Sequence, residues 1–260
     1  MRHLERKDVP IVMGVLNVTP DSFSDGGRWN TVDLALEHAV EMIEQGASVI
    51  DVGGESTRPG CTPVSAEEEW ARLGPVLKEL VGSVDVPISV DTMKAEIAER
   101  SLSCGADIVN DVNGFRGDGM FEACSEHDCE IIISHMHGRY GEMHSVSMGD
   151  DYRQEIRSFL DNQVSKALDS GIEDNNIIID PGIGFGKTQS QNLEIVKDCS
   201  FLGHDHRILI GVSRKRVVRE FYPDMDVDDA TAILSKMAVD SGADIVRVHN
   251  VARTVSELGL

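Results

Sequence analysis

Charged and hydrogen-bonding residues follow short apolar runs throughout this sequence of 260 residues. The set comprises Asn17, Glu55, Ser56, Thr57, Arg58, Asp91, Asn110, Asp111, His135, Asp180, Ser213, Arg214, Lys215, Arg247 and His249. Ordinary turns are also polar, but they favour Gly, Pro, Asn and Ser over such a density of Asp, Arg, Lys and His. We therefore interpret the set as the groups of a functional site.

One subset has the donors and acceptors needed to bind the edge of a flat, nitrogen-rich heterocycle. Asp91 and Asp180 can accept hydrogen bonds from ring N–H and amino groups, while Asn110 and Lys215 can donate to a ring carbonyl. Met136 and Phe185 lie nearby in sequence and can pack against the face of the ring. Each residue alone is more often a core or turn residue, so the hypothesis depends on the whole subset.

A second subset is suited to an anionic group such as a pyrophosphate. It contains Asn17, Arg58, Arg247 and His249. Guanidinium groups bind phosphate oxygens through paired hydrogen bonds. Arg247 and His249 are two residues apart in an extended segment, so their side chains share one face. The alternative interpretation is that these residues are scattered surface salt-bridge partners.

Two loops that follow the first two apolar runs are candidates for closure over a substrate. Residues 18–27 are rich in Pro, Ser and Gly, and residues 60–63 contain Gly and Pro. Asp21 and Asp25 in the first loop have the oxygen ligands that Mg2+ prefers when it bridges phosphates. The alternative is that Asp25-Gly26 is a simple turn.

The elements that must position these residues are short strands alternating with amphipathic helices. The predicted strands are 11–16, 48–52, 88–90, 108–109, 131–133, 177–179, 208–212 and 245–248, and the clearest helices are 32–45, 66–81, 94–103, 152–169 and 228–240. Near-continuous apolar strands are typical of a parallel sheet that is covered on both faces. Gly46, Gly105 and Gly242 each separate a helix from the strand that follows.

Eight such strands in a chain of this length predict a single (β/α)8 TIM barrel over residues 1–260. The barrel fold places catalytic groups where strands end, which is where the polar set lies. A doubly wound open sheet is the alternative, but no G-x-G-x-x-G opens the first helix.

The composition predicts a cytoplasmic protein with neither a nucleic-acid nor a membrane partner. A net charge of −21 repels nucleic acid and anionic lipid. The five cysteines are scattered and include no C-x-x-C pair, which indicates reduced thiols. The acidity is also compatible with a high-salt cytoplasm.

The chain resembles the dihydropteroate synthase family over nearly its whole length. The matching blocks are Asn17–Gly27 (NVTPDSFSDGG), Gly54–Gly60 (GESTRPG), Ser89–Thr92 (SVDT), Asn110–Asp111 (ND), Asp180–Lys187 (DPGIGFGK), Gly211–Lys215 (GVSRK) and Arg247–His249 (RVH). The resemblance implies a (β/α)8 barrel, commonly dimeric. It also implies a transferase that condenses 6-hydroxymethyl-7,8-dihydropterin pyrophosphate with p-aminobenzoate in folate biosynthesis.

The resemblance also implies a role for each matching residue. Pterin contacts are implied for Asp91, Asn110, Asp180 and Lys215, and pyrophosphate contacts for Asn17, Arg58, Arg247 and His249, with Thr57 also touching the substrate. Residues implied to lie near p-aminobenzoate are Phe23, Asp25, Thr57, Pro59 and Ser213. Asn17 is implied as the ligand of a Mg2+ cofactor. Asp180, Lys215, Asp25 and Arg58 are the residues expected to assist the chemistry, in which pyrophosphate departs and the neutral arylamine attacks the resulting cationic methylene carbon.

Two positions depart from the family pattern. Ser134 stands where the family usually has Met, and Asn250 stands after His249 where Asp is usual. We expect Ser134 to remove an apolar contact from the pterin pocket. We expect Asn250 to be a weaker partner than Asp for orienting the imidazole of His249.

Two other functions remain open from the sequence. A related barrel that transfers a methyl group from a methyl-tetrahydropterin shares the pterin-binding carboxylates but does not need the phosphate-binding subset. A non-catalytic pterin-binding protein is the second alternative. The amine acceptor can also be a modified aminobenzoate of another pterin coenzyme pathway.

Overall fold

The structure is a computed structural model that describes residues 1–4, 9–19, 28–56, 61–138, 140, 146–203 and 205–260, the side chains of 28–31 excepted. Parallel strands close a barrel in which each strand pairs with its neighbours in chain order and the last pairs with the first. They are β1 (Ile11–Asn17), β2 (Val49–Gly53), β3 (Ile88–Asp91), β4 (Ile108–Asp111), β5 (Glu130–Ser134), β6 (Ile177–Asp180), β7 (Arg207–Ile210) and β8 (Ile245–Val248). The predicted TIM barrel is confirmed. That residues 1–260 form a single domain stays a prediction.

Helices cover the outside of the barrel. They are α1 (Arg28–Glu44), α2 (Ala66–Ser83), α3 (Ala95–Cys104), α4 (Met120–Ser125), α5 (Tyr152–Asp169), α6 (Gln189–Lys197), α7 (Arg216–Phe221), α8 (Val227–Asp240) and α9 (Val251–Leu258). The five helices that were predicted with bounds correspond to α1, α2, α3, α5 and α8. The sequence does not predict the bounds of α4, α6, α7 and α9, because helices this short contain too few apolar repeats to show a period.

Three glycines form the connections between helix and strand that the sequence predicted. Gly46, Gly105 and Gly242 have φ angles of 105°, 108° and 111°, which lie in the left-handed region. A residue with a Cβ is strained there, so glycine allows the chain to leave the helix and enter the next strand within a few residues.

The lower half of the barrel interior is apolar. Inward-facing side chains from alternate strand positions pack together there: Ile11, Met13, Val49, Ile108, Ile132, Ile178, Leu209 and Ile245, with Leu4 from the N-terminal segment. Burying each large aliphatic side chain stabilises the fold by roughly 1.5–3 kcal/mol. The interior is therefore a packed core at this level, and a ligand must bind above it.

A buried ion pair lies at the N-terminal end of the barrel. The guanidinium of Arg207 on β7 pairs with the carboxylate of Glu130 on β5, and both residues are nearly inaccessible to solvent. Glu130 also accepts a hydrogen bond from the backbone N–H of Leu4 at 2.9 Å, and Arg207 donates to the carbonyl of Leu4 at 3.0 Å. The pair therefore fastens the N-terminal segment across the bottom of the barrel.

Candidate active site

The polar residues that follow the strands gather at the C-terminal rim of the barrel. Strand pairing aligns Asn17 with Gly53, Gly53 with Asp91, and Asp91 with Asn110. Gly53 has no side chain, and a Cβ built there would lie 3.9 Å from both Asn17 Oδ1 and Asp91 Oδ2. Asn17 and Asp91 therefore flank one gap in the rim.

Arg247 reaches across the barrel to two carboxylates. Its Nε donates to Asp51 Oδ2 at 2.6 Å, and its Nη2 donates to Asp91 Oδ2 at 2.8 Å. Burial alone would lower the pKa of Arg247, but the charges of Asp51 and Asp91 raise it, so the guanidinium stays charged. The sequence placed Arg247 and Asp91 in separate subsets. The structure joins them in one charged cluster.

Two opposing effects act on the carboxyl group of Asp91. Burial raises the pKa of Asp91, Asp51 and Asp111 add to the increase, and the positive charge of Arg247 opposes it. The ion pair with Arg247 favours the carboxylate form. Asp91 can therefore accept hydrogen bonds at the edge of a heterocycle.

Asp51 is a residue that the sequence analysis did not select. It lies on β2 one inward-facing position below Gly53 and is fully buried. Besides Arg247 it contacts Asn110, whose Nδ2 lies 3.4 Å from Asp51 Oδ2. The alternation of side chains along β2 was the available signal, because it directs Val49, Asp51 and Gly53 into the barrel.

Asp180 ends β6 with both carboxylate oxygens engaged. Oδ1 accepts from the backbone N–H of Gly182 at 2.7 Å, and Oδ2 accepts from the hydroxyl of Ser134 at 3.2 Å. Ser134 is the aligned residue of β5. The departure at position 134 therefore adds a hydrogen bond to a predicted pterin-binding carboxylate, beyond the loss of an apolar contact that we expected.

Lys215 places its amine between a carbonyl and an aromatic ring. Nζ donates to the carbonyl of Ile183 at 2.6 Å and lies 4.7 Å from the centre of the Phe185 ring. Burial lowers the pKa of Lys215 to about 8, against the attraction of Asp180. A Cβ at Gly211 would lie 3.8 Å from this amine and 3.7 Å from Arg247 Cβ, so the two cations face the same space.

An apolar wall stands beside these charges. Phe185, Met136 and Val112 are buried against one another, and Met93 and Tyr140 pack on them. Met136 and Phe185 therefore belong to one apolar cluster, and their packing against a ring stays a prediction. An apolar wall next to acceptors and one amine is suited to binding the face and the edge of a flat heterocycle.

A second lysine, Lys187, is buried near Lys215. The sequence analysis did not select it as a site residue. Nζ donates to the carbonyls of Gly182 at 2.9 Å and Phe185 at 3.1 Å and lies 2.9 Å from Nδ1 of His135. Burial and the charge of Lys187 lower the pKa of His135 far below its ordinary value, so its ring is neutral and Nδ1 can accept. Lys187 thereby ties the loop after β6 to the end of β5.

Ser213 and His249 are in direct contact at the ends of β7 and β8. Ser213 Oγ lies 2.9 Å from His249 Nδ1 and accepts from the backbone N–H of His249 at 3.1 Å. The following residue, Arg214, has a left-handed φ of 57° and pairs with Asp228 through two bonds of 2.9 Å. This anchored turn places Ser213 and Lys215 on the rim.

Asn250 does not have the role that its position suggested. Its Oδ1 accepts from the backbone N–H of Arg253 at 3.0 Å, which caps helix α9, and its Nδ2 donates to Asp228 Oδ2 at 3.2 Å. The contact to Nδ1 of His249 is made by Ser213 instead. The departure at position 250 therefore affects a helix cap and not the orientation of the imidazole.

Several predicted site residues lie outside the described residues. They are Asp21, Phe23, Asp25, Thr57, Arg58 and Pro59. The chain just before Thr57 is well anchored, because Tyr140 donates to Glu55 Oε1 at 3.1 Å and to the carbonyl of Ser56 at 3.4 Å. Glu55 also pairs with Lys94, which in turn binds Glu69.

Comparison with known proteins identifies the family. The model of a family described as pterin binding enzymes matches residues 13–249. Dihydropteroate synthase of Streptococcus pyogenes serotype M6 is 46% identical over 246 residues, which cover 92% of this chain and 90% of that protein.

Solved structures similar to this chain belong to the same family. Xanthomonas albilineans dihydropteroate synthase with 4-aminobenzoic acid has a TM-score of 0.90 at 38% identity and matches 97% of this chain and 92% of its own. Burkholderia cenocepacia dihydropteroate synthase complexed with 7,8-dihydropteroate has a TM-score of 0.88 at 35% identity and matches 97% and 90%.

Proposed function

This chain belongs to the pterin-binding enzyme family and, within it, to the dihydropteroate synthases, and we propose its reaction on that basis. The enzyme joins 6-hydroxymethyl-7,8-dihydropterin pyrophosphate to p-aminobenzoate and releases 7,8-dihydropteroate and pyrophosphate. One observation carries the proposal: Asp91, Asn110, Asp180 and Lys215 line one rim beside the apolar wall of Phe185 and Met136.

The pterin ring is proposed to bind against that wall with its edge toward the carboxylates. Asp180 is held in place by Ser134 and by the N–H of Gly182, so each of its oxygens keeps a lone pair for a ring N–H or amino group. Lys215 donates to the ring carbonyl. Because these groups are already held in position, pterin binding requires little rearrangement, which favours tight binding.

The diphosphate is proposed to lie at the side of the rim formed by Asn17, Arg247 and His249, with Thr57 and Arg58 completing it. Nε and Nη2 of Arg247 already bind carboxylates, and Nη1 has no partner among the described residues. We therefore propose that this edge of the guanidinium binds the anion. Its charge stabilises the electrons that accumulate on the departing pyrophosphate.

The chemistry needs no nucleophile from the protein. The bond between the methylene carbon and the pyrophosphate oxygen breaks and its electron pair leaves with pyrophosphate. The lone pair of the arylamine nitrogen then forms the new C–N bond, and the extra N–H proton passes to solvent or to pyrophosphate. Asp91 and Asp180 stabilise the positive charge that spreads into the pterin ring, and Asp25 is proposed to assist from its loop.

Magnesium is proposed as the cofactor, with Asn17 as its protein ligand. Within the described part of the chain, no three His, Cys, Asp or Glu side chains form a metal cluster. Mg2+ commonly binds through one or two protein oxygens together with substrate phosphates and water, so a single amide oxygen beside a diphosphate fits this ion. When bound, the ion supplies positive charge that neutralises the pyrophosphate.

The second substrate, p-aminobenzoate, is proposed to bind near Ser213, between the loops that contain Phe23, Asp25, Thr57 and Pro59.

A homodimer in the cytoplasm is also proposed. The exposed apolar side chains of Phe221 and Met225 near α7 support a contact between copies. Over the described residues, no helix is long and apolar enough to cross a membrane.

A condensation assay tests the proposal. Purified protein, Mg2+, the dihydropterin pyrophosphate and p-aminobenzoate should yield pyrophosphate and dihydropteroate in equal amounts. Asp180→Asn and Lys215→Ala should each lower kcat/KM by about 100-fold or more, because each removes a charged group from the pterin edge. Lys236→Ala, which changes a partly exposed side chain of α8, is the control.

The other outcomes identify the alternatives. Methyl transfer from a methyl-tetrahydropterin without condensation would indicate the related methyltransferase, and pterin binding without product would indicate a binding protein. Chelation of Mg2+ with loss of turnover would support the proposed cofactor, whereas full turnover with chelator would contradict it. Turnover of a modified aminobenzoate in preference to p-aminobenzoate would change the acceptor.

A further inference from the structure

Asp51 contacts two of the proposed ligand-binding residues although it is itself fully buried. It accepts from Arg247 Nε at 2.6 Å and lies 3.4–3.5 Å from Asn110 Nδ2. Arg247 and Asn110 come from β8 and β4, on different sides of the barrel. Asp51 lies one inward-facing position below Gly53 on β2.

The contact determines which way the amide of Asn110 points. An ionised carboxylate only accepts hydrogen bonds, so the NH2 group of the amide must face Asp51 and the carbonyl must face away. The opposite orientation would put Oδ1 against the carboxylate, which is repulsive. Asn110 Oδ1 is buried and has no hydrogen-bond partner in the described structure.

An acceptor that is buried without a partner is costly, by about 1–3 kcal/mol for a neutral group. Native proteins keep such a group mainly where a ligand or a water completes it. Asn110 ends up beside Asp91 on the proposed pterin edge. Its Oδ1 is thus an acceptor prepared for a ring N–H.

Asp51 acts on Arg247 in the same way. It holds Nε while Asp91 holds Nη2, so the guanidinium plane is fixed by two carboxylates and the Nη1 edge remains for an anion. One buried carboxylate therefore orients both an acceptor for the heterocycle and a donor for the diphosphate.

We propose that Asp51 is a positioning residue that sets the hydrogen-bonding polarity of the ligand site, with Asn110 held as an acceptor and Arg247 held with one edge toward the diphosphate. The inference rests on the proposed function, since it takes the ligand to be a dihydropterin. Asp51 acts through its neighbours and does not touch the ligand. A purely structural role would stabilise the barrel without selecting the orientation of Asn110.

A double-mutant cycle distinguishes the two roles. The probe is 6-hydroxymethyl-7,8-dihydropterin without phosphate, and the measurement is its Kd by calorimetry. Asp51→Asn should weaken binding by about tenfold in the wild-type background. In an Asn110→Ala background the same substitution should change the Kd by less than about twofold, because the amide it orients is gone.

Exchanging the carboxylate of Asp51 with the amide of Asn110 gives a second test. Asn110→Asp alone puts two carboxylates against each other and should bind the probe poorly. The double variant Asp51→Asn with Asn110→Asp restores one amide opposite one carboxylate and should bind more tightly than Asn110→Asp alone. This comparison applies even if Asp51→Asn by itself does not fold.

A matched control separates folding from positioning. Asp107 is another buried aspartate on the barrel, at the opposite end, where it accepts from the backbone N–H of Ile88 at 3.0 Å. Asp107→Asn should lower the melting temperature and leave the Kd of the probe unchanged.

Three results would overturn the inference: no loss of affinity in Asp51→Asn, an equal loss in both Asn110 backgrounds, or no gain from the exchange. If the wild-type protein did not bind the dihydropterin, the proposed function would fail instead.

Discussion

Two cations of the site, Arg247 and Lys215, are held by different kinds of partner. Arg247 binds two carboxylates, which compensate its charge and raise its pKa. Lys215 binds a carbonyl and an aromatic ring, which have no full negative charge, so burial lowers its pKa to about 8. At the residue scale, Lys215 is therefore the one of these two cations that loses its charge first as the pH rises.

This difference predicts the alkaline limit of activity. A deprotonated Lys215 no longer presents an ammonium to the pterin carbonyl, so kcat/KM should fall with an apparent pKa near 8. Lys215→Arg keeps its charge at every accessible pH and should move this limit upward by at least about one pH unit, even if its larger group slows turnover. A pH profile of kcat/KM measures the shift.

Lys236→Arg is the control for this profile. Lys236 lies on α8 with a partly exposed side chain that pairs with Asp240 at 3.1 Å, so its substitution should leave the profile unchanged. An alkaline limit near pH 8 that persists in Lys215→Arg would show that another group titrates there.

The hydroxyl of Ser134 is predicted to strengthen pterin binding. It donates to Asp180 Oδ2 at 3.2 Å and keeps that carboxylate in one orientation. Ser134→Ala removes the bond, whose net worth is about 0.5–1.5 kcal/mol, and should weaken dihydropterin binding by roughly two- to tenfold. Calorimetry measures the change.

Ser125→Ala is the matched control, since Ser125 is a half-buried serine on α4 whose hydroxyl donates to the carbonyl of Glu122 in its own helix. Equal or tighter binding in Ser134→Ala would contradict the prediction, because the hydroxyl of Ser134 would then occupy space without strengthening pterin binding.

At the scale of the elements, the residues that stabilise the barrel and the residues proposed for the chemistry lie at opposite ends of its axis. Inward-facing residues are aliphatic in the lower half and polar in the upper half of the same strands, as Val49 and Asp51 illustrate on β2. The N-terminal end is closed by Leu4 and by the pair of Arg207 and Glu130. Changes at the lower end should therefore affect folding much more than catalysis.

Glu130→Gln tests this separation. The substitution leaves the buried guanidinium of Arg207 without its carboxylate, which should lower the free energy of unfolding by about 3–5 kcal/mol. Activity per folded molecule should stay close to wild type, because the rim is at the other end of each strand. Urea unfolding and active-site titration provide the two measurements.

Glu79→Gln, on the exposed side of α2, should cost less than about 0.5 kcal/mol and serves as the control. A loss of turnover in folded Glu130→Gln would contradict the separation of the two ends.

At the scale of the whole molecule, acidic residues far outnumber basic ones. Asp and Glu total 45 against 24 Lys and Arg, which gives the net charge of −21. Surface ion pairs such as Arg153–Asp198 and Lys236–Asp240 compensate some of the carboxylates. The remaining carboxylates repel one another, and this repulsion opposes the compact state.

Salt is therefore predicted to stabilise the protein. Raising KCl from about 0.05 M to 1 M shortens the screening distance from more than 10 Å to about 3 Å, so the repulsion weakens and Tm should rise at pH 7. Differential scanning calorimetry at constant pH measures the effect. The gain should shrink as the pH is lowered toward the isoelectric point, and a Tm that falls or stays constant with salt at pH 7 would contradict the prediction.

The sequence by itself determined the strands, the longer helices and the residues at the strand ends. The apolar run of a strand and the apolar periodicity of a helix are local properties, and each Gly at the end of a helix acts within a few residues. Because all strands of a parallel barrel run in one direction, residues such as Asp91, Asp180 and Arg247 must reach the same rim. The order of strands and helices along the chain therefore implies that these residues share one rim.

Only the tertiary structure decided which of these residues touch. Arg247 binds Asp51 and Asp91, which lie 196 and 156 residues away in the chain. Pairing of β8 with β1 closes the barrel, and the stagger of the strands then sets the heights of the side chains inside it. Local periodicity does not specify that stagger, so the roles of Asp51, Lys187 and Ser134 appeared only once the barrel was closed.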